Sequence, residues 1–375
     1  MPLSSLPPGH RYHIVAAADS FKGSLTAVEA CKAISDAAVA VLGDAAEICI
    51  LPMSDGGEGF CEAVTTALAG TLRTVRVHDP LMRPLDASYG VVTMPSTLFG
   101  QTGPQVECAV VELAQASGLC LLSAEERNPW QATTFGTGEL IRQAIEDGFR
   151  HILVGLGGSA TNDCGRGLME ALQHTGYLED CHFLLATDVC NPLCGPSGAT
   201  YVFARQKGAD EAMLPLLEQR NAEYGRLLSE QCGCDVPLLE GAGAAGGAGA
   251  ALLSMPHCRR VSGIDLMLQL YPDAARLQEA WLVFTGEGCI DAQTLMGKAP
   301  YGVALEAQRY GVPCIALVGR VHLTDEERQS SPWSDIIEVT PPDMEDSVAL
   351  QPAVARRNIY ETVKNVISAK INVRP

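Results

Sequence analysis

The sequence predicts an α/β protein of two domains, a parallel-sheet domain built from both ends of the chain and a mixed α/β domain inserted within it. Three observations predict this. Apolar strand-like runs alternate with helical periodicity near the N-terminus, and again after roughly residue 269. Between residues 70 and 111, short strand-like runs follow one another across Pro and Gly turns, as in an antiparallel meander. The 375 residues, 47% hydrophobic and 19% charged, suffice for two cores. The pattern places the first domain at 1–70 plus 271–375 and the second at 71–270.

His13–Ala18 is a short apolar run, expected as a buried strand. Thr26 stands as an N-cap, with Glu29 in capping-box register, before the apolar periodicity of Val28–Leu42. Ala46–Leu51 is a second strand, and a Gly-rich turn leads to a helix over Gly57–Leu68. The meander strands are Thr71–Val77, Leu85–Thr93 and Val106–Val111. Helix is expected over Thr134–Gly148, strand over His151–Leu156, helix over Leu168–His174, strand over Phe183–Thr187 and amphipathic helix over Asp210–Glu230. Strand Trp281–Thr285, helix Ala299–Tyr310 and strands Pro313–Val318 and Ile336–Val339 follow. Most of Val348–Ile371 reads as helix, with Pro352 tolerable only near its start.

The formal net charge is −18. This argues against nucleic-acid and anionic-membrane partners, which need basic patches. Small anionic ligands stay open, because they read local charge. Fourteen cysteines are scattered singly apart from Cys232-Gly-Cys234, which fits a reducing cytoplasm. No second cysteine pair or histidine cluster accompanies Cys232 and Cys234, so no four-ligand zinc site is expected there. Met1–His10 lacks a basic segment followed by an apolar one, so no signal peptide is expected. The longest apolar runs are interrupted, so no membrane span is expected.

Lysine is scarce: six, against twenty arginines, and three of the six touch a glycine. These are Lys22 in Asp19-Ser20-Phe-Lys22-Gly, Lys207 in Gln-Lys207-Gly and Lys298 in Met-Gly-Lys298. Lysine is a compact charge suited to phosphate, and glycine lets backbone N–H groups approach it too. Gly155-Leu-Gly157-Gly158-Ser159-Ala-Thr161-Asn162-Asp163 follows a strand and is expected to enter a helix. That arrangement cradles anions through N–H groups and the helix dipole, with the Ser159 and Thr161 hydroxyls as further donors. It is neither a Walker A loop nor GxGxxG, and a plain packing turn is the alternative. The tract Glu240–Ala251 suits either close helix packing or close approach of a ligand.

Carboxylates recur in turns after expected strands: Asp19, Asp55 with Glu58, Asp163, Asp188, Glu287 and Asp291. At the carboxyl ends of parallel strands they can hold Mg²⁺, position a hydroxyl or act as base. Each taken alone also serves as a cap or turn residue. Interleaved with the glycine-flanked lysines, they match what phosphoryl transfer needs. No Ser/His/Asp or Cys/His arrangement and no nucleophile elbow is present.

Together these segments resemble the type I bacterial glycerate kinase family. The resemblance rests on seven ordered blocks between residue 17 and about residue 319: Ala17–Thr26, Pro52–Gly59, Gly157–Asp163, Asp188-Val-Cys-Asn191-Pro, Gln206-Lys207-Gly, Gly241–Gly247 and Thr285–Pro300. It implies two α/β domains, the discontinuous one Rossmann/flavodoxin-like, and a site in the cleft between them. It also implies ATP- and Mg²⁺-dependent phosphorylation of D-glycerate to 2-phosphoglycerate, 3-phosphoglycerate being the other regioisomer. The expected catalytic set is Asp188, Lys22 and Lys207, with Asp188 orienting or deprotonating the hydroxyl because Asp188-Val-Cys-Asn191-Pro ends a strand beside the Lys207 loop. Substrate or phosphate contacts fall on Ser20, Asp55, Gly157, Gly158, Ser159, Thr161, Asn162, Asn191, Glu287 and Lys298. Asp163 and Asp291 are the candidates for Mg²⁺. The partners are glycerate and ATP, with a homodimer as the one macromolecular partner considered.

Three positions depart from the family pattern: Ala18 where Pro is usual, Arg166 where a small residue is usual, and Cys289 where Arg is commoner. Arg166 is a candidate to supply the charge that Cys289 lacks. Two rivals remain: a kinase of a related hydroxy acid, and a reading of another class, either a nicotinamide-dependent hydroxy-acid oxidoreductase or a non-enzymatic sugar-acid binder.

Overall fold

The computed structural model describes residues 11–372, so the expectation for Met1–His10 lies outside them. In chain order the strands are β1 (Tyr12–Ala18), β2 (Ala46–Ile50), β3 (Thr71–His78), β4 (Pro84–Pro95), β5 (Gln105–Glu112), β6 (His151–Gly155), β7 (His182–Ala186), β8 (Cys258–Val261), β9 (Leu282–Ile290), β10 (Cys314–Val321) and β11 (Asp335–Glu338). They form two sheets in two compact units. One unit comprises the described residues up to Ser54 and those from Met267 onward; the other is Asp55–Leu266.

The first unit carries an all-parallel sheet in the order β2-β1-β9-β10-β11. Numbered by appearance this is 2-1-3-4-5, the flavodoxin-like order, whose direction reverses between β1 and β9. Helix Ala27–Leu42 starts where expected: the Thr26 hydroxyl accepts from Glu29 N–H (3.2 Å) and the Glu29 carboxylate accepts from Thr26 N–H (3.1 Å). Its buried stripe, Ala30, Ile34, Ala37 and Ala38, packs against helix Pro352–Asn372 through Ile359, Val363 and Ile367. Burial of those stripes holds the helices on the sheet.

The second unit carries a mixed sheet, β3-β4-β5-β6-β7-β8. β3, β4 and β5 form the expected antiparallel meander, and β5 to β8 run parallel. Its core joins Tyr89, Val111, Leu140, Ile152, Phe183, Leu185 and Leu252. Helix Phe60–Ala67 packs on β4 and β5, which places Asp55 in this unit.

Three local features differ from the sequence expectation. β9 continues through Gly-Glu287-Gly-Cys289 to Ile290 rather than ending at Thr285. Glycine makes this possible: a Cβ on Gly286 would overlap the Leu317 carbonyl of β10. β8 and helix Gly263–Leu270 were not expected, because β8 is a short edge strand whose Arg259 and Arg260 interrupt any apolar run. Finally, the glycine loop after β6 does not enter a helix directly. Helix Arg166–Leu172 begins only after Cys164 (φ +55°) and Gly165 (φ +69°), so a left-handed turn separates its start from Gly157–Thr161. No helix among the described residues is long and apolar enough to cross a membrane.

Candidate active site

The residues singled out in the sequence gather into two groups, one at the carboxyl edge of each sheet. In the first unit the turn after β1 is tied to β9 by Asp19 N–H, which donates to Gly286 O at 2.9 Å. Gly23 (φ +74°) closes the turn and leaves Lys22 exposed. Ser20, Lys22, Glu287, Asp291, Lys298 and Arg320 share a cavity of about 350 Å³ at the point where strand order reverses. Ligands of open parallel sheets collect at such a point.

The cavity mixes three cations, Lys22, Lys298 and Arg320, with the carboxylates Glu287, Asp291 and Asp346, and adds two bare hydroxyls. Lys298 Nζ lies 3.8 Å from both Glu287 and Asp291. Glu287 also accepts from the Thr294 hydroxyl at 2.7 Å. Asp291 turns Oδ1 inward to the N–H groups of Gln293 (2.9 Å) and Thr294 (3.1 Å). The buried Oγ atoms of Ser20 and Ser24, both on the cavity wall, have no hydrogen-bond partner among the described residues. Buried hydroxyls of this kind call for a ligand or water. Sequence reasoning passed over Ser24 and Arg320. Ser24 lies within the block Ala17–Thr26, whereas Arg320 carries no signal beyond following Gly319 near the end of β10.

In the second unit the two glycine turns meet backbone to backbone. Gly157 N–H donates to Gly56 O at 2.8 Å, and a Cβ on Gly157 would overlap Gly57. Gly158, at φ +70°, is exposed on the loop. The N–H groups of Gly158 and Ser159 make no hydrogen bond among the described residues, whereas Ala160 N–H is taken by Ser117 O (2.9 Å). Beneath the loop lies Lys207, only 3% exposed, donating to Ser159 Oγ (2.7 Å) and Thr161 O (2.8 Å). Burial draws its pKa down to about 7, against the raising effect of Asp163. Thr161 and Asn162 are fully buried, and Asn162 O accepts from Arg220 at 2.7 Å. These three residues are therefore the footing of the loop, not its ligand-facing surface.

Asp188 follows β7. Its Oδ1 accepts from Gly263 N–H at 3.1 Å, while Oδ2 is buried with no hydrogen-bond partner among the described residues. Burial raises the carboxyl from 3.8 to about 7; the Ser262 hydroxyl opposes the rise and the charge on Asp55 adds to it. Asp55 itself accepts from Gly57 N–H at 3.0 Å. Glu112, also passed over in the sequence, caps helix Phe60–Ala67 by accepting from Gly59 (3.2 Å) and Cys61 (3.1 Å) N–H. Burial lifts it to about 7 as well.

Two candidates have structural employment. Asp163 accepts from Thr134 N–H (2.9 Å), the Thr134 hydroxyl (2.8 Å), Gly165 N–H (3.1 Å) and Gly167 N–H (3.2 Å). Both its oxygens are thereby spent on fixing helix starts, which is a poor fit to a metal ligand. Asn191 donates to Ser197 O at 2.8 Å and its carbonyl accepts from Gly243 N–H at 2.9 Å, so it shapes the loop after Asp188. The glycine tract serves packing: a Cβ on Gly246 would overlap Thr161 O, and one on Gly247 would come 2.8 Å from Cys164 Cα.

Residues 14–177 and 173–370 match the model of the glycerate kinase family. The chain belongs to that family. The glycerate kinase of Bacillus cereus is 36% identical across 94% of this chain and 96% of its own. The glycerate 2-kinase of Escherichia coli is 38% identical across 84% and 86%. A crystal structure from Salmonella typhimurium LT2, described as a candidate glycerate kinase 2, matches at 36% identity with a TM-score of 0.74, covering 97% of this chain and 99% of that one. The protein is thus an enzyme of the glycerate kinase family, and the oxidoreductase and sugar-acid-binder readings fall away.

Within this family frame the departures take on local reasons. Ala18 N–H donates to Cys31 Sγ at 3.3 Å, a donor that proline lacks. Cys289 lines the same cavity as Lys22, Lys298 and Arg320, with Sγ 3.7 Å from His322 Nδ1. Arg166 is exposed in the second unit, on another pocket beside His174 and Tyr177. Arg320, not Arg166, is therefore the arginine that shares the Cys289 cavity.

Proposed function

We propose that the enzyme transfers the γ-phosphoryl group of ATP to the 2-hydroxyl of D-glycerate, giving ADP and 2-phosphoglycerate. The observation that carries this reading is Asp188: a buried carboxyl with one bare oxygen and a pKa of about 7, the value suited to a general base at neutral pH. Asp188 accepts the hydroxyl proton through Oδ2, while Gly263 N–H holds Oδ1 in place.

The N–H groups of Gly158 and Ser159 hold phosphate oxygens, and the buried Lys207 braces that loop from beneath. Lys22 and Lys298, with the Ser20 hydroxyl, hold a phosphate or the glycerate carboxylate in the cavity of the first unit. Mg²⁺ in kinases is held by one or two carboxylates plus phosphates and waters, and neutralises charge on the phosphate oxygens. Asp291 fits that need with Glu287 beside it: Asp291 Oδ2 makes no hydrogen bond among the described residues, and Asp163 does not fit.

A coupled ADP-release assay across D-glycerate, L-glycerate and other short hydroxy acids tests the substrate assignment. D-glycerate should give the highest kcat/KM. A higher value for another hydroxy acid would reassign the substrate while leaving the kinase in place.

A further inference from the structure

Cys232 ends helix Met213–Cys232, and Gly233 caps it in the left-handed region, φ +76°, ψ 18°. Gly233 N–H donates to Ser229 O at 2.9 Å, and the turn folds Cys234 back onto Cys232. The two sulfurs lie 3.2 Å apart, and both residues are exposed. Sulfurs at that spacing need approach by only about 1 Å to reach bonding distance. Only glycine allows this turn at no steric cost. The thiols open on a pocket of about 500 Å³ whose wall includes Met169, Glu179, Leu253 and Met255, in keeping with entry of a small sulfur reagent. The reaction proposed above uses none of these residues.

We propose that Cys232 and Cys234 are a redox-active dithiol, converted reversibly to an internal disulfide by low-molecular-weight disulfides. The Cys232 thiolate attacks one sulfur of the small disulfide, whose S–S bond breaks and releases one small thiol. Cys234 then loses its proton and attacks Cys232 Sγ, releasing the second small thiol. The protein gives up two protons and two electrons, and the small disulfide gains them as two thiols. Both sulfurs are exposed and share one hydrogen bond, so the same balance holds with the two roles exchanged. The loop closed is very short and exposed, so the disulfide gains little chain-entropy stabilisation and stays reducible by thiols.

The test equilibrates the full-length protein in glutathione buffers of increasing oxidised fraction, followed by acid quench, alkylation and peptide mass spectrometry. The peptide holding both cysteines should lose two hydrogens at a defined midpoint and regain them on addition of reduced glutathione. Cys120 and Cys190, which are also exposed, should show no internal disulfide over that range. Cys234→Ser should instead trap a glutathione adduct on Cys232. The proposal is overturned if both thiols survive the whole range, or if the wild type carries separate glutathione adducts in place of the internal bond. Circular dichroism of the variant confirms that its fold is intact.

Discussion

Replacing Asp188 with Asn should move stability and catalysis in opposite directions. Folding lifts this carboxyl from 3.8 to about 7, chiefly by burying its charge. Below about pH 4 the group is neutral in both folded and unfolded chains and contributes nothing. Between about pH 4 and 7 the unfolded chain releases the proton while the folded chain keeps it, so stability falls as pH rises. Above about pH 7 the loss is complete, and about three units at ~1.36 kcal/mol each make it roughly 4 kcal/mol. Asn removes the charge and keeps an acceptor for Gly263 N–H. Urea denaturation should therefore show the variant equal to the parent near pH 4 and more stable at pH 8, by up to about 4 kcal/mol. Catalysis should suffer: loss of a general base costs ~10²–10⁴ in kcat, or about 3–5 kcal/mol of barrier, with KM little changed. Wild-type kcat/KM should rise with pH to a plateau above about 7, and the variant should lose that limb. A variant less stable than wild type at pH 8, or one retaining near-wild-type kcat, refutes the reasoning.

Each unit offers further tests: the cavity of the first, and the Asp163 cap, the glycine turn and the far sheet edge of the second. Lys298→Met removes the ammonium that Glu287 and Asp291 share; steady-state kinetics should show KM for an anionic substrate raised about ten-fold or more. Asp163→Ala strands four donors, of Thr134, Gly165 and Gly167; urea unfolding should show a loss of about 3 kcal/mol or more, and the Mg²⁺ activation constant should stay at the wild-type value. Gly157→Ala forces the loop off Gly57, and a displacement of about 1 Å should lower kcat/KM by ~10². At the opposite edge of the sheet, His151, His182 and His257 stack across β6, β7 and the start of β8, with Gln101 bonded to both His151 and His182 at 2.9 Å. Burial first, and the neighbouring imidazole second, lower the pKa of His151 and of His182. Their neutral forms favour the fold, so Tm should hold above about pH 6.5 and fall as the pH drops below it, with His151→Gln flattening the slope.

The layout of the fold was legible because apolar runs and helical stripes repeat along the chain. Thr26 and Glu29 announced a helix start that the structure reproduces bond for bond. The edge strand Cys258–Val261 was hidden, since an edge strand with two arginines has no buried alternation to show. The glycine loops were legible as loops, but not what each residue in them does. Lys207 and Asp163 are charged side chains in glycine turns, alike on paper; one is a buried brace and the other a saturated cap. Such roles depend on partners more than 20 residues away in the chain, among them Thr134 for Asp163 and Ser159 for Lys207. Arg320 was invisible for the same reason, since only the sheet brings it to the cavity of Lys22 and Lys298.

Phosphorus NMR of the enzyme incubated with ATP, Mg²⁺ and D-glycerate tests the central claim most directly. The account predicts loss of the γ-phosphate signal in step with the appearance of ADP and a single phosphomonoester that co-resonates with added 2-phosphoglycerate. A product that co-resonates with 3-phosphoglycerate, or inorganic phosphate in its place, would contradict it.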